Sequence, residues 1–315
     1  MKVPMGSLCR AGVPPEKWGV PVDWDEIHPA GHDPKARLEI QDEEGVAAEV
    51  IYPSVGMVIC LHPDPDYKKA CFDAYNRWLA EFCETAPKRL LGIGMMACRT
   101  PAEGVREIKE LKAMGFRGVM MCGDPHFEDY DSPAYDPVWE ASIAEGMPIN
   151  FHILTSKDSM GGVGVRGPKM IQQIVTIRGN QNIVMMMVLS GVFDRHPNLK
   201  VIMVENDAGW IPHFAFRLDH AWEKHRWWME VGAIKRKPSE YVHENIYATF
   251  QDDYSVQHVI NAVNLERVMW ATDFPHGDGT YPESRKVIDE ITEGMTEHQI
   301  QSVVYDNAAE LYGLS

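Results

Sequence analysis

The sequence contains no apolar run approaching the ~18 residues that cross a bilayer. Nor does it open on a basic segment followed by an apolar one, so an exported or membrane-anchored class is not expected. It has no C-x-x-C pair. Its six cysteines, Cys9, Cys60, Cys71, Cys83, Cys98 and Cys122, are scattered. Several fall inside apolar runs, where a free thiol behaves as a small hydrophobe, and this usage fits a reducing cytoplasm. Positive charge is scarce: 30 Lys and Arg face 46 Asp and Glu, for a formal net charge of −16. The longest basic cluster is Lys235-Arg236-Lys237. A nucleic-acid binder needs a basic stripe to displace counterions from phosphates, so no nucleic-acid partner is expected, and no membrane partner. Repeats, low-complexity segments and a domain linker are also absent.

What is present is an ordinary globular composition, 45% hydrophobic and 24% charged over 315 residues, enough for a sizeable core. From about residue 87 onward, short apolar runs alternate with helical patterns. Arg89 to Ala97 reads as a buried strand. Thr100-Pro101-Ala102-Glu103 then supplies a capping box with proline at the first helical position, and Gly115 supplies a stop. Strand candidates fall near residues 47, 90, 117, 148, 200, 246 and 268, with helical segments between them. Such alternation implies a parallel sheet with helical crossovers. The expected architecture is an α/β fold of the TIM type, a (β/α)8 barrel that lacks or displaces its first strand, because seven candidates are found where eight are needed. Residues 1–33, rich in Pro, Gly and charge, form an irregular N-terminal segment, and residues 34–315 form the barrel domain.

In a parallel barrel, active sites lie at the C-terminal ends of the strands. Those ends carry Asp124, His152, Glu205-Asn206-Asp207, Gln251-Asp252-Asp253 and Asp273. One histidine with several carboxylates suits a divalent cation, with a carboxylate left over for acid–base work. Each also has a plainer explanation. His152 could be a hydrogen-bonded core residue, Asp273 could cap the turn before Phe274-Pro275, and Glu205 to Asp207 could cap the following helix. Three other patterns are set aside. Gly162-Val163-Gly164-Val165-Arg166-Gly167 matches G-x-G-x-x-G but is separated from its strand by a polar loop, and reads as a loop over the barrel mouth. His28 and His32 are separated by Pro29 and Gly31, and His220 and His225 fall on different helical faces. The aromatic stretch Trp210 to Trp228 reads first as core or subunit interface and second as a substrate wall.

The ordered stretches MPINFHI, DRHPNLKVIMVENDAGWIPHFAFRLDHAW and MWATDFPHGDG resemble the amidohydrolase-2 group of the amidohydrolase superfamily, and within it the aminocarboxymuconate-semialdehyde decarboxylase-like enzymes. The resemblance runs from about Pro34 to the end and includes EGVAAEVIYPSVG and AYNRWLAEFC. It implies a metal-dependent barrel with one divalent ion, zinc ahead of manganese. His152 and Asp273 would be metal ligands, and Glu205 would stand where decarboxylating members have a base-like histidine. The group's strand-1 motif of histidine and acid is absent from the sequence.

The expected function is therefore metal-dependent hydrolysis or non-oxidative decarboxylation of a small carboxylated or cyclic compound. Asp273 and Glu205 are the catalytic candidates, His276 and Trp210 the substrate contacts, and His152 and Asp273 the metal ligands. A cytoplasmic homodimer is expected. The competing reading is a catalytically degenerate barrel that serves as a binding or assembly subunit.

Overall fold

The computed structural model describes residues 8–20, 22–157 and 166–314. Most of the Gly162–Gly167 loop lies outside the described residues. Seven strands form one sheet: β1 (Glu49–Ile51), β2 (Leu90–Met95), β3 (Gly118–Met120), β4 (Ile149–His152), β5 (Val201–Val204), β6 (Ile246–Phe250) and β7 (Val268–Trp270). They are hydrogen-bonded in chain order, and every neighbouring pair is parallel. All seven fall where hydrophobic patterning places them, and the α/β barrel-type fold is as expected.

Alternation along each strand sorts the side chains between two layers. Leu91, Ile93, Met95, Met120, Ile202, Val204 and Met269 face inward, into one cluster. Ile149, Phe151, Val201, Met203 and Val268 face outward, against the helices. The same alternation turns Asn150 and His152 of β4 inward. Close approach is enforced at β2, where a Cβ on Gly92 would sit 2.7 Å from Phe116 and one on Gly94 2.6 Å from Leu111. The Leu111 side chain of the helix Pro101–Ala113 and the Phe116 ring after it therefore pack directly on the β2 backbone.

Its start differs in one detail from the expected capping box. Thr100 accepts from the Glu103 amide at 3.2 Å, but the Glu103 carboxylate turns instead to Arg99, taking both its backbone N–H and its guanidinium. A charged partner one residue upstream outcompetes a neutral amide.

Between β1 and β7 no further strand pairs among the described residues. Side chains cross that seam instead. Arg37, from the helix Pro34–Glu44, donates Nε to Glu49 at 2.6 Å and Nη2 to the Phe274 carbonyl at 2.9 Å. From the last helix, Asn307–Tyr312, the Tyr312 hydroxyl lies 3.1 Å from the Tyr52 hydroxyl and donates to Asn150 Oδ1 at 3.2 Å. Residues 8–33 carry three short 3-10 turns and fold over the loop after β7, with the Ala11 amide donating to the Pro275 carbonyl at 3.1 Å.

Candidate functional site

The ends of β1, β4, β5, β6 and β7 open into a cavity of about 820 Å³, lined at its polar end by Ser54, His152, Glu205, Asp207, Asp273 and His276. Three of these positions have unusual backbones. Glu205, Asp207 and Asp273 each adopt φ near +55°, a region non-glycine side chains rarely enter and one that clusters at functional sites. The turn after β5 is held in that conformation by its neighbours. Glu205 N–H donates to Thr249 Oγ1 at 2.8 Å, and the Ala208 and Gly209 amides donate to Asp253 Oδ2 at 3.1 and 2.8 Å.

His152 is buried with Nδ1 3.0 Å from the Ile153 carbonyl. That contact requires Nδ1 to carry the proton, so the lone pair is on Nε2, which faces Glu205 Oε2 at 3.2 Å. Burial lowers the imidazole to about 4, so it stays neutral at physiological pH. Glu205 is pushed well above the ordinary carboxylate range by burial and then by the charges of Asp273, Asp278 and Asp207. Asp207 is raised to about 6 by burial and by Asp253 and Asp252.

Asp273 Oδ1 accepts from His276 Nδ1 at 2.9 Å, and His276 Nε2 meets Ser54 Oγ at 3.1 Å. Burial lifts the Asp273 carboxyl, although the His276 hydrogen bond pulls it back. Burial works to lower His276, but the hydrogen bond and charge of Asp273, with Asp278, outweigh it and raise the imidazole.

This is a site with surplus negative charge, a free imidazole lone pair and little solvent to screen either. Ligand atoms of Glu205, Asp273 and His276 lie within 4.8 Å of one another. His276 spends both ring nitrogens on Asp273 and Ser54, whereas His152 Nε2 is open on the Glu205 side. Glu205 and Asp273 could therefore hold a divalent cation together with an imidazole, either His276 of the close group or His152, whose Nε2 lies 3.2 Å from Glu205 Oε2.

The other sequence candidates serve elsewhere. Trp210 donates Nε1 to the Asn206 and Asp207 carbonyls at 2.8 and 3.1 Å and packs edge-on against Phe214, bracing the acid turn without lining the cavity. Asp253 fixes that turn. Asp124 accepts from the Lys157 amide at 2.9 Å, outside the cavity. Sequence reasoning missed Ser54 entirely. Serine after a short strand carries no signal of its own, and its partner lies 222 residues away.

A parallel α/β sheet with an acid- and imidazole-lined mouth at its strand ends is the arrangement of a barrel-type enzyme. The family model described as amidohydrolase matches residues 64–314, and the chain belongs to that family. Over 292 residues it is 26% identical to gamma-resorcylate decarboxylase of Polaromonas sp. (strain JS666), covering 85% of this chain and 83% of that protein. Its fold is similar to that of an amidohydrolase from Mycobacterium avium subsp. paratuberculosis K-10, with a TM-score of 0.81, 22% identity and coverage of 96% and 80% of the two chains. It is also similar to a dihydroxybenzoic acid decarboxylase from Polaromonas sp. JS666 with bound manganese and 2-nitroresorcinol, with a TM-score of 0.71, 20% identity and coverage of 96% and 91%.

Proposed function

We propose that this protein is a metal-dependent, non-oxidative decarboxylase of a small carboxylated aromatic ring. The observation that carries the reading is the neutral His152 Nε2 turned to Glu205 beside Asp273, inside a cavity large enough for a substituted ring. The related decarboxylases act on substrates of this kind. His152, Glu205 and Asp273 would hold one divalent ion. Two carboxylates to one imidazole is a hard donor set, which favours manganese, with zinc the competing ion.

The bound ion would supply Lewis-acid polarisation of the substrate's oxygens. The chain's own residues supply orientation and a proton. As the bond to the departing carboxyl breaks, the ring carbon must gain a proton. His276, whose imidazole is raised against burial by the hydrogen bond and charge of Asp273, is the group placed to deliver it. This changes the role expected for His276 from substrate contact to proton carrier. The acid side chains Asp207 and Asp278 line the same cavity and disfavour a second negative group at the mouth. A homodimer remains the proposed assembly, with exposed Phe216, Trp227 and Trp228 as its apolar surface. A cytoplasmic location is proposed on the six free cysteines; among the described residues, no helix is long and apolar enough to cross a membrane.

The test is metal analysis followed by turnover. One manganese or zinc per chain, lost in His152→Ala and Asp273→Ala, is expected, with carbon dioxide release from gamma-resorcylate or a related hydroxybenzoate. A chain that binds no divalent ion, or binds one and releases no carbon dioxide from any such acid, would sink the reading and favour the binding-subunit alternative.

A further inference from the structure

We propose that Ser54, His276 and Asp273 form a nucleophilic relay that cleaves uncharged carboxylic esters. The spacing is that of an activated serine: Ser54 Oγ lies 3.1 Å from His276 Nε2, and His276 Nδ1 lies 2.9 Å from Asp273 Oδ1. A nucleophile within hydrogen-bond reach of a base, itself oriented by a third group, is the general signature of covalent catalysis, and it is recognised by geometry whatever the order in the chain.

The Asp273 contact sets the tautomer of the neutral imidazole. Asp273 accepts, so Nδ1 carries a proton, and in the neutral form Nε2 offers its lone pair to the Ser54 O–H. All three residues line the 820 Å³ cavity, which places the relay at its wall.

A second observation separates this serine from a structural one. Ser54 occupies the N-cap of the 3-10 turn Val55–Leu61, where a serine side chain ordinarily accepts from the turn's first amides. It makes no such bond; the hydroxyl is turned to His276. Its backbone is committed through the Met57 amide, which donates to the Ser54 carbonyl at 3.1 Å. The backbone anchors the residue while the hydroxyl stays with the imidazole.

The chemistry balances without a further reagent. Ser54 Oγ bonds to the ester carbonyl carbon as its proton passes to His276 Nε2. The tetrahedral adduct collapses, the C–O bond to the alcohol breaks, and the leaving oxygen takes the proton from His276. Water then attacks the acyl-serine with His276 as base, releasing the acid and restoring the Ser54 hydroxyl. Glu205, Asp207, Asp252 and Asp278 line the same cavity, which selects uncharged esters over anionic ones. The relay needs no cation, so it stands apart from the decarboxylase reading although both use His276 and Asp273.

The experiment uses the full chain held in EDTA, with a fluorophosphonate probe for labelling and p-nitrophenyl acetate for turnover. A single adduct mapped to Ser54 is expected, absent in Ser54→Ala. The labelling and hydrolysis rates should fall by about a hundredfold or more in His276→Asn. Circular dichroism and thermal midpoints confirm that both variants fold, and Ser54→Cys retains a nucleophile that should be alkylated at the same place. No adduct on the wild-type chain, an adduct elsewhere, or an unchanged rate in His276→Asn would overturn the relay. An adduct that forms only with added manganese would overturn its metal independence. Decarboxylation is measured separately with manganese present, so failure of either activity leaves the other legible.

Discussion

Two carboxylate–imidazole pairs sit in this molecule at the same spacing, and only one belongs to a site. Asp136 and His196 meet at 2.9 Å, as do Asp273 and His276. Asp136 also accepts from Arg195 Nε at 3.0 Å and stands at the start of the helix Asp136–Glu145, where the helix dipole favours an anion. Its charge is met by Arg195 and His196, and it does not line the cavity at the strand ends. Asp273 has acids for neighbours, Asp278 and Glu205, and faces empty space. The pair itself therefore carries little information. What distinguishes a site is charge left unbalanced around a reachable volume.

The largest break in that comparison comes from removing each acid. Asp273→Ala is expected to abolish stoichiometric metal and lower decarboxylation by on the order of 10³, measured by metal analysis and steady-state kinetics. Asp136→Ala should leave metal content and turnover unchanged.

Next in size is the pH dependence of metal affinity. Glu205 holds its proton well above the usual range, so a cation must displace that proton in order to bind. Below the raised pKa, affinity should fall about tenfold per pH unit, read by calorimetry at several pH values. Glu205→Gln should bind weakly at every pH and lose that slope.

A third acid extends the contrast to stability. Glu107 is buried beside the Ala97 and Cys98 amides, and Lys69 lies 3.6 Å away; burial pushes its carboxyl up to about 7 against an ordinary 4.5. Between those values the folded chain holds more protons than the unfolded one, so stability falls as pH rises. The full effect is about 3 kcal/mol at most. Denaturant midpoints at pH 5 and pH 7.5 measure it, and Glu107→Gln should flatten the difference although it forfeits one acceptor. The smallest effect belongs to the structural pair: Asp136→Asn should cost about 1 kcal/mol in folding stability.

How much of this was legible in the sequence follows from which forces act locally. The strands were readable because a parallel sheet buried on both faces needs continuous apolar runs, and Leu90 to Met95 or Val201 to Val204 offer nothing else. The strand-end rule then pointed to His152, Glu205 and Asp273, which the fold brings to one mouth. Three things were not legible. Glu103 looked like a capping residue until Arg99 competed for it. Trp210 looked like a wall residue, whereas its indole N–H goes to carbonyls of the acid turn. Ser54 was invisible because its meaning comes from a contact between the ends of β1 and β7, and no local pattern encodes a partner so distant in the chain.

The unpaired flanks of β1 and β7 bear on how the molecule behaves at high concentration. A bare strand flank is a template on which a neighbouring chain can grow. Here Asn307 Nδ2 donates to the Val268 carbonyl at 2.8 Å, and β1 is only three residues long. One amide side chain thus withholds from passing chains a hydrogen-bond acceptor they would otherwise find. Asn307→Ala should leave the site intact and shorten the time for which concentrated protein remains clear.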